Sequence, residues 1–283
     1  MSGGPAAALP PIGDHGLEAL LAYVRRTSGL SLELYRQRGL RRRLDVRVRV
    51  NRLEGCGDYL RLLRSDAGER ECVTRSLTIP VSRFFRNRES FLALERWVLP
   101  LLARGARGRP VRAWSAGAAG GEEPYTLAMS WERSTGGIAG PPPLELLATD
   151  VDRVSLGRAR TGVYDAAALT EVAPRERARW FAPEGDRYRV VERVRAAVRF
   201  RRADLAAAPR PRSQDLILCR NVLIYFDRPL QESLTRAFYD ALRPGGFLML
   251  GRVEMPCGPA RRLFEPVDVR ERLFRKPLGV DRS

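Results

Sequence analysis

The sequence is almost without histidine and lysine. His15 is its one histidine, set in an opening stretch of small residues and proline. Ser-His-Asp hydrolysis, histidine-held metals and histidine acid–base chemistry therefore have no residue to work with. Cys56, Cys72, Cys219 and Cys257 are far apart and form no C-x-x-C pair, which argues against a zinc site or a disulfide framework. No run of about 18 apolar residues is present to span a bilayer. Met1 to Gly16 is small, Pro-rich and uncharged before Asp14, and reads as a disordered tail, neither signal peptide nor anchor. A cytoplasmic protein is the expectation. Lys276 is the sole lysine, so arginine carries the formal net charge of +17. Arginine in place of lysine throughout speaks of composition more than of a site. The excess still selects partners: acidic protein surfaces, anionic lipid or nucleic acid.

What is present begins with size: 283 residues, 44% of them apolar, suffice for one large domain and a small one. The organising stretch is Val111-Arg112-Ala113-Trp114-Ser115-Ala116-Gly117-Ala118-Ala119-Gly120-Gly121-Glu122-Glu123-Pro124-Tyr125. It reads as a strand, a glycine-rich turn and the start of a helix. Gly117, Gly120 and Gly121 give the backbone freedom a tight turn needs. Glu122 and Glu123 suit the positive end of a helix dipole, and Pro124 is tolerated in a first turn. The spacing is G-x-x-G-G, not the G-x-G-x-x-G that brings backbone against a pyrophosphate. Two carboxylates at the exit should repel phosphate and suit a cationic or hydroxyl-rich ligand. S-adenosylmethionine, with a sulfonium, an α-amino group and a ribose, is such a ligand.

Around that stretch, helical spacing is expected over Leu17–Arg26, Leu34–Val50 and Asp58–Leu63, with a further helix from Cys72. The second carries seven arginines, Arg36, Arg38, Arg41, Arg42, Arg43, Arg47 and Arg49, opposite a stripe of Leu40, Leu44 and Val48. It is either a solvated basic face or a docking surface for an acidic partner. Phe84 and Phe85 follow, flanked by arginines; they either anchor a linker or wall a pocket with Arg86 pointing in. Phe91–Leu102 is expected as one helix. Leu144–Asp150 is a second strand whose terminal carboxylate falls where doubly wound folds hold ribose hydroxyls. Residues 165–195 break the β–α rhythm and suggest a small hairpin insertion. Val198–Arg201, Asp215–Asn221 and Phe247–Leu250 complete the core strands. Leu230–Leu242 is expected as a helix stopped by Pro244-Gly245-Gly246, and Phe264–Val269 with Arg272–Lys276 as a terminal antiparallel pair.

Four stretches now stand in order and spacing: Thr78 with Phe85-Arg86; Trp114-Ser115-Ala116 through Gly121-Glu122-Glu123-Pro124-Tyr125; Ala148-Thr149-Asp150-Val151-Asp152; and Cys219-Arg220-Asn221-Val222-Leu223-Ile224-Tyr225-Phe226-Asp227. From about Leu17 to Lys276 the chain resembles the chemotaxis-receptor glutamate O-methyltransferase family, CheR. The resemblance implies an α/β architecture: a Rossmann-like S-adenosylmethionine-dependent methyltransferase domain, with a small all-helical N-terminal domain and a small β insertion. The division it implies is a tail over 1–16, a helical domain over 17–77, a linker and helix over 78–110, the methyltransferase domain over 111–276 with its insertion at about 165–195, and a tail over 277–283.

By the same resemblance the protein methylates glutamate side chains on cytoplasmic helices of a chemoreceptor, yielding S-adenosylhomocysteine. Glu123 and Asp150 would hold the amino-acid and ribose portions of the cofactor, beside Gly117 of the turn. Asp204, Leu205, Arg220 and Asn221 would line its adenine and methionine sides. Arg86 would lie beside the transferred methyl group and Tyr225 near the acceptor, the two catalytic positions. Ser82 stands where threonine is usual. Pro80, at another cofactor position, stands where asparagine is common. Gly251-Arg252-Val253-Glu254 replaces a usual Gly-His-Ser-Glu. The chemistry suits the inventory: a glutamate with pKa about 4.3 is ionised at neutral pH, so methyl transfer needs alignment and desolvation, not a base.

The acidic receptor helices would dock on the basic helix at about 34–50. A short insertion around Phe181–Val190 predicts no tether to a receptor pentapeptide. No nucleic acid, no membrane insertion and a monomer are expected. Two other readings stay open: a nucleic-acid methyltransferase, though no N/D-P-P-Y motif or aromatic platform is seen, and a non-catalytic cofactor-binding scaffold, prompted by Pro80 and Arg252.

Overall fold

The computed structural model describes residues 14–78 and 82–278. Pro80 lies outside them, as do most of the expected N-terminal tail and 279–283 of the C-terminal one. The chain divides into two compact units, Met1–Ile79 and Pro80–Ser283.

The first unit is helical: α1 (Asp14–Ser28), α2 (Gln37–Val50), α3 (Cys56–Ser65) and α4 (Ala67–Thr78). Gly29, at φ +75°, ends α1 in the left-handed conformation that glycine adopts without cost. The stripe of Leu40, Leu44 and Val48 is buried with Leu20, Tyr59, Leu63 and Leu77. Two of the arginines of α2 turn inward within this unit. Arg43 donates to the Leu77 carbonyl at 2.6 Å, and Arg47 pairs with the buried Glu69, which also accepts from the Tyr59 hydroxyl. Arg36, Arg38, Arg42 and Arg49 are exposed.

The second unit opens with α5 (Arg88–Trp97) and α6 (Leu99–Gly105), then β1 (Val111–Ala116), α7 (Glu122–Thr135), β2 (Leu144–Asp150) and α8 (Arg153–Thr161). The insertion follows as β3 (Val163–Asp165), α9 (Pro174–Trp180), β4 (Phe181–Glu184), β5 (Arg187–Val190) and α10 (Glu192–Ala196). Then come β6 (Val198–Arg202), β7 (Gln214–Cys219), α11 (Arg228–Ala241), β8 (Leu242–Leu250), β9 (Glu265–Asp268) and β10 (Leu273–Arg275). The main sheet runs β6-β2-β1-β7-β8-β10-β9, and the insertion forms a separate sheet, β3-β5-β4. From β6 to β8 neighbouring strands are parallel, while β10 is antiparallel to both β8 and β9. This is the expected Rossmann-like architecture with a helical N-terminal unit and a β insertion. All six residues of β7 are buried, as a central parallel strand covered on both faces requires.

Local departures have local causes. Phe91–Leu102 is two helices, because Pro100 sits at the first turn of α6 and offers no N–H to the turn before it. Pro244-Gly245-Gly246 lies inside β8 and does not merely stop a helix: the β7–β8 register shifts there, and the bare Cα of Gly246 lets the Gln214 carbonyl approach. Phe84 and Phe85 are fully buried, which decides for anchoring over a pocket wall. Phe84 packs edge-on against Tyr164 and Phe181, each at 4.8 Å between ring centroids, pairings worth about 0.5–1.5 kcal/mol apiece beyond burial.

Candidate functional site

In an open parallel sheet, ligands bind beyond the carboxyl ends of the strands where the strand order reverses. Here the chain winds from β1 outward through β2 to β6, then returns to β7 on the other side of β1, so the reversal lies between β1 and β7. At the opposite, amino end Asp215 ties these same strands together, accepting both guanidinium nitrogens of Arg109 at 2.7 and 2.8 Å and the Arg112 N–H at 2.8 Å.

At the carboxyl end, β1 runs into the glycine turn. Gly117 adopts φ +85°, and a Cβ there would overlap Val222 Cγ2 of the facing β7 exit. Four of the turn's amides are committed to the protein. Gly117 and Ala118 N–H both donate to the Thr149 carbonyl, Ala119 N–H donates to Asp150 Oδ2 at 2.8 Å, and Gly121 N–H donates to the Ala118 carbonyl. Asp150 Oδ1 accepts from Asp152 N–H at 2.9 Å. Ala203 N–H donates to the Asp150 carbonyl, which brings the exit of β6, with Asp204 and half-buried Leu205, next to that of β2. Asp204 itself accepts from Ala206 N–H.

The two glutamates that open α7 part company. Glu122 is fully buried and paired with Arg158, so it faces into the protein. The turn's exit presents one carboxylate, not two. That one is Glu123, whose Oε1 accepts the Ser115 hydroxyl at 2.8 Å while Oε2 faces Arg220 Nη1 at 3.5 Å. Arg220 is buried at the end of β7, donates to the Arg86 carbonyl at 2.8 Å and to Asn87 Oδ1 at 3.1 Å, and stacks over the Phe91 ring. A continuous chain of contacts thus runs Ser115–Glu123–Arg220–Arg86. Asn221 follows at φ +60°, and Tyr225 ends a short 3-10 turn, half-buried. Ser82 lines a cavity of about 420 Å3 with Arg83, Arg158, Tyr164, Asp165 and Arg187, which none of the other expected site residues lines.

Burial governs the electrostatics. It pushes the Glu123 carboxyl above the usual glutamate range, against the opposing pull of Arg220 and the Ser115 hydroxyl. It likewise raises Asp150, against the Asp152 and Ala119 N–H groups, and it lowers Arg220, against Glu123. The Cys219 thiol is pushed far up by burial and is no nucleophile. Arg252, at the departure from the usual motif, extends to Glu271 at 3.2 Å. Glu254, assigned no role among the expected site residues, is the one missed: its carboxylate collects backbone N–H groups from the exits of both β7 and β8. Its signal was the glutamate kept at the end of Gly251-Arg252-Val253-Glu254, where Gly-His-Ser-Glu is usual.

A Rossmann-like turn with four of its amides already bonded makes a poor phosphate cradle. Its anionic and hydroxyl-accepting groups fit a cofactor that carries a cation and a ribose. Among the described residues no cluster of His, Cys, Asp and Glu could hold a metal ion, and no helix is long and apolar enough to cross a membrane.

Residues 80–271 match the family described as CheR methyltransferase, SAM binding domain, and residues 15–78 the one described as CheR methyltransferase, all-alpha domain. A chemotaxis protein methyltransferase of Listeria monocytogenes is 38% identical over 237 residues, which cover 84% of this chain and 88% of that protein. Chemotaxis protein methyltransferase 2 of Pseudomonas aeruginosa is 35% identical, over 81% of this chain and 82% of its own. The chemotaxis protein methyltransferase of Escherichia coli is 33% identical, over 86% and 85%.

Proposed function

Because this chain belongs to the CheR methyltransferase family, and so is an S-adenosylmethionine-dependent methyltransferase acting in chemotaxis, we propose that its acceptors are glutamate side chains on the cytoplasmic helices of a chemoreceptor. The observation that carries this reading is the pairing of bonded turn amides with Glu123 and Asp150 at the β1/β7 reversal. Bound S-adenosylmethionine supplies a sulfonium-activated methyl group, and an ionised carboxylate can accept it with no proton to remove. The protein's part is then alignment and exclusion of water.

In this reading Glu123 receives the cofactor's ammonium, Asp150 its ribose hydroxyls, and Asn221, Asp204 and Leu205 flank the rest. Arg220 holds the 86–87 backbone in place, so that Arg86 orients the acceptor by hydrogen bonds and Tyr225 closes on it. Orientation is the useful role for Arg86, since a tight ion pair would blunt the nucleophile. The exposed Arg38, Arg42 and Arg49 of α2 meet the acidic receptor helix; among the described residues Arg38 and Arg42 have no ion-pair partner, so an external anion would find them available. The β4–β5 hairpin closes through Gly185 and Asp186 alone, the shortest usual connection, which supports action without a pentapeptide tether. The partner is a protein and not a nucleic acid, and one copy suffices.

Tritium from the methyl group of S-adenosylmethionine should enter a purified chemoreceptor cytoplasmic fragment and leave as methanol at alkaline pH, the behaviour of a methyl ester. Label that survives base would place the methyl on nitrogen or an ether and end the glutamate reading.

A further inference from the structure

Two strand exits far apart in sequence, β7 at Cys219 and β8 at Leu250, meet on one buried carboxylate. Glu254 is 4% exposed. Its Oε2 accepts Asn221 N–H at 2.8 Å and Gly251 N–H at 2.7 Å, and its Oε1 accepts Ile224 N–H at 3.3 Å. Among the described residues no arginine or lysine forms an ion pair with it. A buried carboxylate held by backbone N–H groups without a direct ion pair is costly to keep unless it fixes something.

What it fixes is legible. Asn221 adopts φ +60°, a conformation uncommon for any residue but glycine, and its N–H is the first group the carboxylate holds. Gly251 has to be glycine: a Cβ there would lie 2.5 Å from Glu254 Oε2 and 2.7 Å from the Asn221 nitrogen. Val222, next along, fills the space left by the missing Cβ of Gly117. The exits of β1, β7 and β8 therefore interlock, with Glu254 as the pin.

We propose that Glu254 is a positioning residue for the methyl-donor site: through the Asn221 and Ile224 amides it sets the 221–225 loop in the geometry that accepts the cofactor. This rests on the reading that Asn221 lines the cofactor. Glutamine replaces it only in part, because with its oxygen on the Asn221 and Gly251 N–H groups its NH2 opposes the Ile224 N–H donor to donor. Ile224 would keep its partner only at the other two amides' expense.

The test is titration calorimetry of the full chain with S-adenosylmethionine, well below each variant's Tm and with near-ultraviolet dichroism matching wild type. Glu254→Gln should bind at least tenfold more weakly. Gly251→Ala, which pries the same groups apart without touching a charge, should match it, and the double variant should be no worse than either. Glu271→Gln is the control. That carboxylate is equally buried but bonds Ser90 and Arg252, away from the loop, so its loss should lower Tm and leave affinity unchanged. Wild-type affinity in Glu254→Gln, whatever its Tm, overturns the proposal. If that variant does not fold, Gly251→Ala decides by the same criterion. Asn221→Ala separates the layers. Should it bind as wild type, the assignment of Asn221 itself falls; should it bind weakly while Glu254→Gln binds normally, only the positioning role falls.

Discussion

The exits of β1 and β7 face each other across the candidate site and are built by opposite means. At β1 the chain turns mainly because glycine permits it: Gly117 and Gly121 have φ of +85° and +93°, and both lack a Cβ where a neighbour stands close, while only Ala119 between them, at φ +46°, is held by Asp150. At β7 Asn221 adopts a similar sign of φ without being glycine, and a carboxylate from further along the chain holds it there. Both turns end on an acidic side chain that accepts amides, Asp150 for the first and Glu254 for the second. The lesson is that a strained backbone can be permitted by its own residue or enforced by another, and only the first kind leaves a mark in the local sequence.

Substitution should separate the two kinds. The largest effect is expected at Gly117→Ala, where a disallowed φ and the overlap with Val222 combine; roughly 2–4 kcal/mol of stability should be lost in denaturant titration. Asn221→Gly keeps the backbone conformation open and should stay within about 1 kcal/mol of wild type. Equal losses would mean that the asparagine side chain, not the carboxylate, fixes the β7 exit.

A middle-sized effect concerns charge at the same place. Burial raises the Glu123 carboxyl above its ordinary value of 4.5. A carboxyl raised in the folded state contributes stability that is fully present below the unfolded value and is lost as pH rises through the folded one. Wild type should therefore gain Tm relative to Glu123→Gln as pH falls from about 7 towards 4.5. Over the same interval wild-type affinity for S-adenosylmethionine should fall, since a cationic ligand needs the ionised form. A Tm difference independent of pH would show that Arg220 keeps Glu123 ionised throughout.

The smallest effect is at Gly185→Ala in the β4–β5 hairpin. Its φ is +62°, yet a Cβ would meet no heavy atom within 4 Å. About 1 kcal/mol of stability and no cofactor affinity should be lost. A larger loss would mean that φ alone accounts for Gly117 and that Val222 adds little.

The same distinction explains what was legible beforehand. The strand–turn–helix at Gly117 and the apolar run of β7 announce themselves within a few residues, and with them the Rossmann-like order. Periodicity gave α2 its buried stripe but not the inward turn of Arg43 and Arg47, which depends on where α4 places the Leu77 carbonyl and Glu69. Adjacent Glu122 and Glu123 look equivalent in sequence; their division follows from Arg158 and Arg220, on α8 and at the end of β7. Glu254 was least legible, because its partners lie 33, 30 and 3 residues away and it is a register across β8 that aligns them.

One consequence concerns the stretch that carries Ser82 and Arg86. Phe84 and Phe85 sink into the core, the Phe84 and Phe85 amides bond the Ala168 carbonyl and Thr126 hydroxyl, and Arg220 grips the carbonyl of Arg86. Residues 84–86 are thereby anchored in place and do not form a lid. A ligand arriving beside them meets a surface already folded, so its contact energy is not drawn down by ordering this part of the chain, and turnover need not wait for these residues to open.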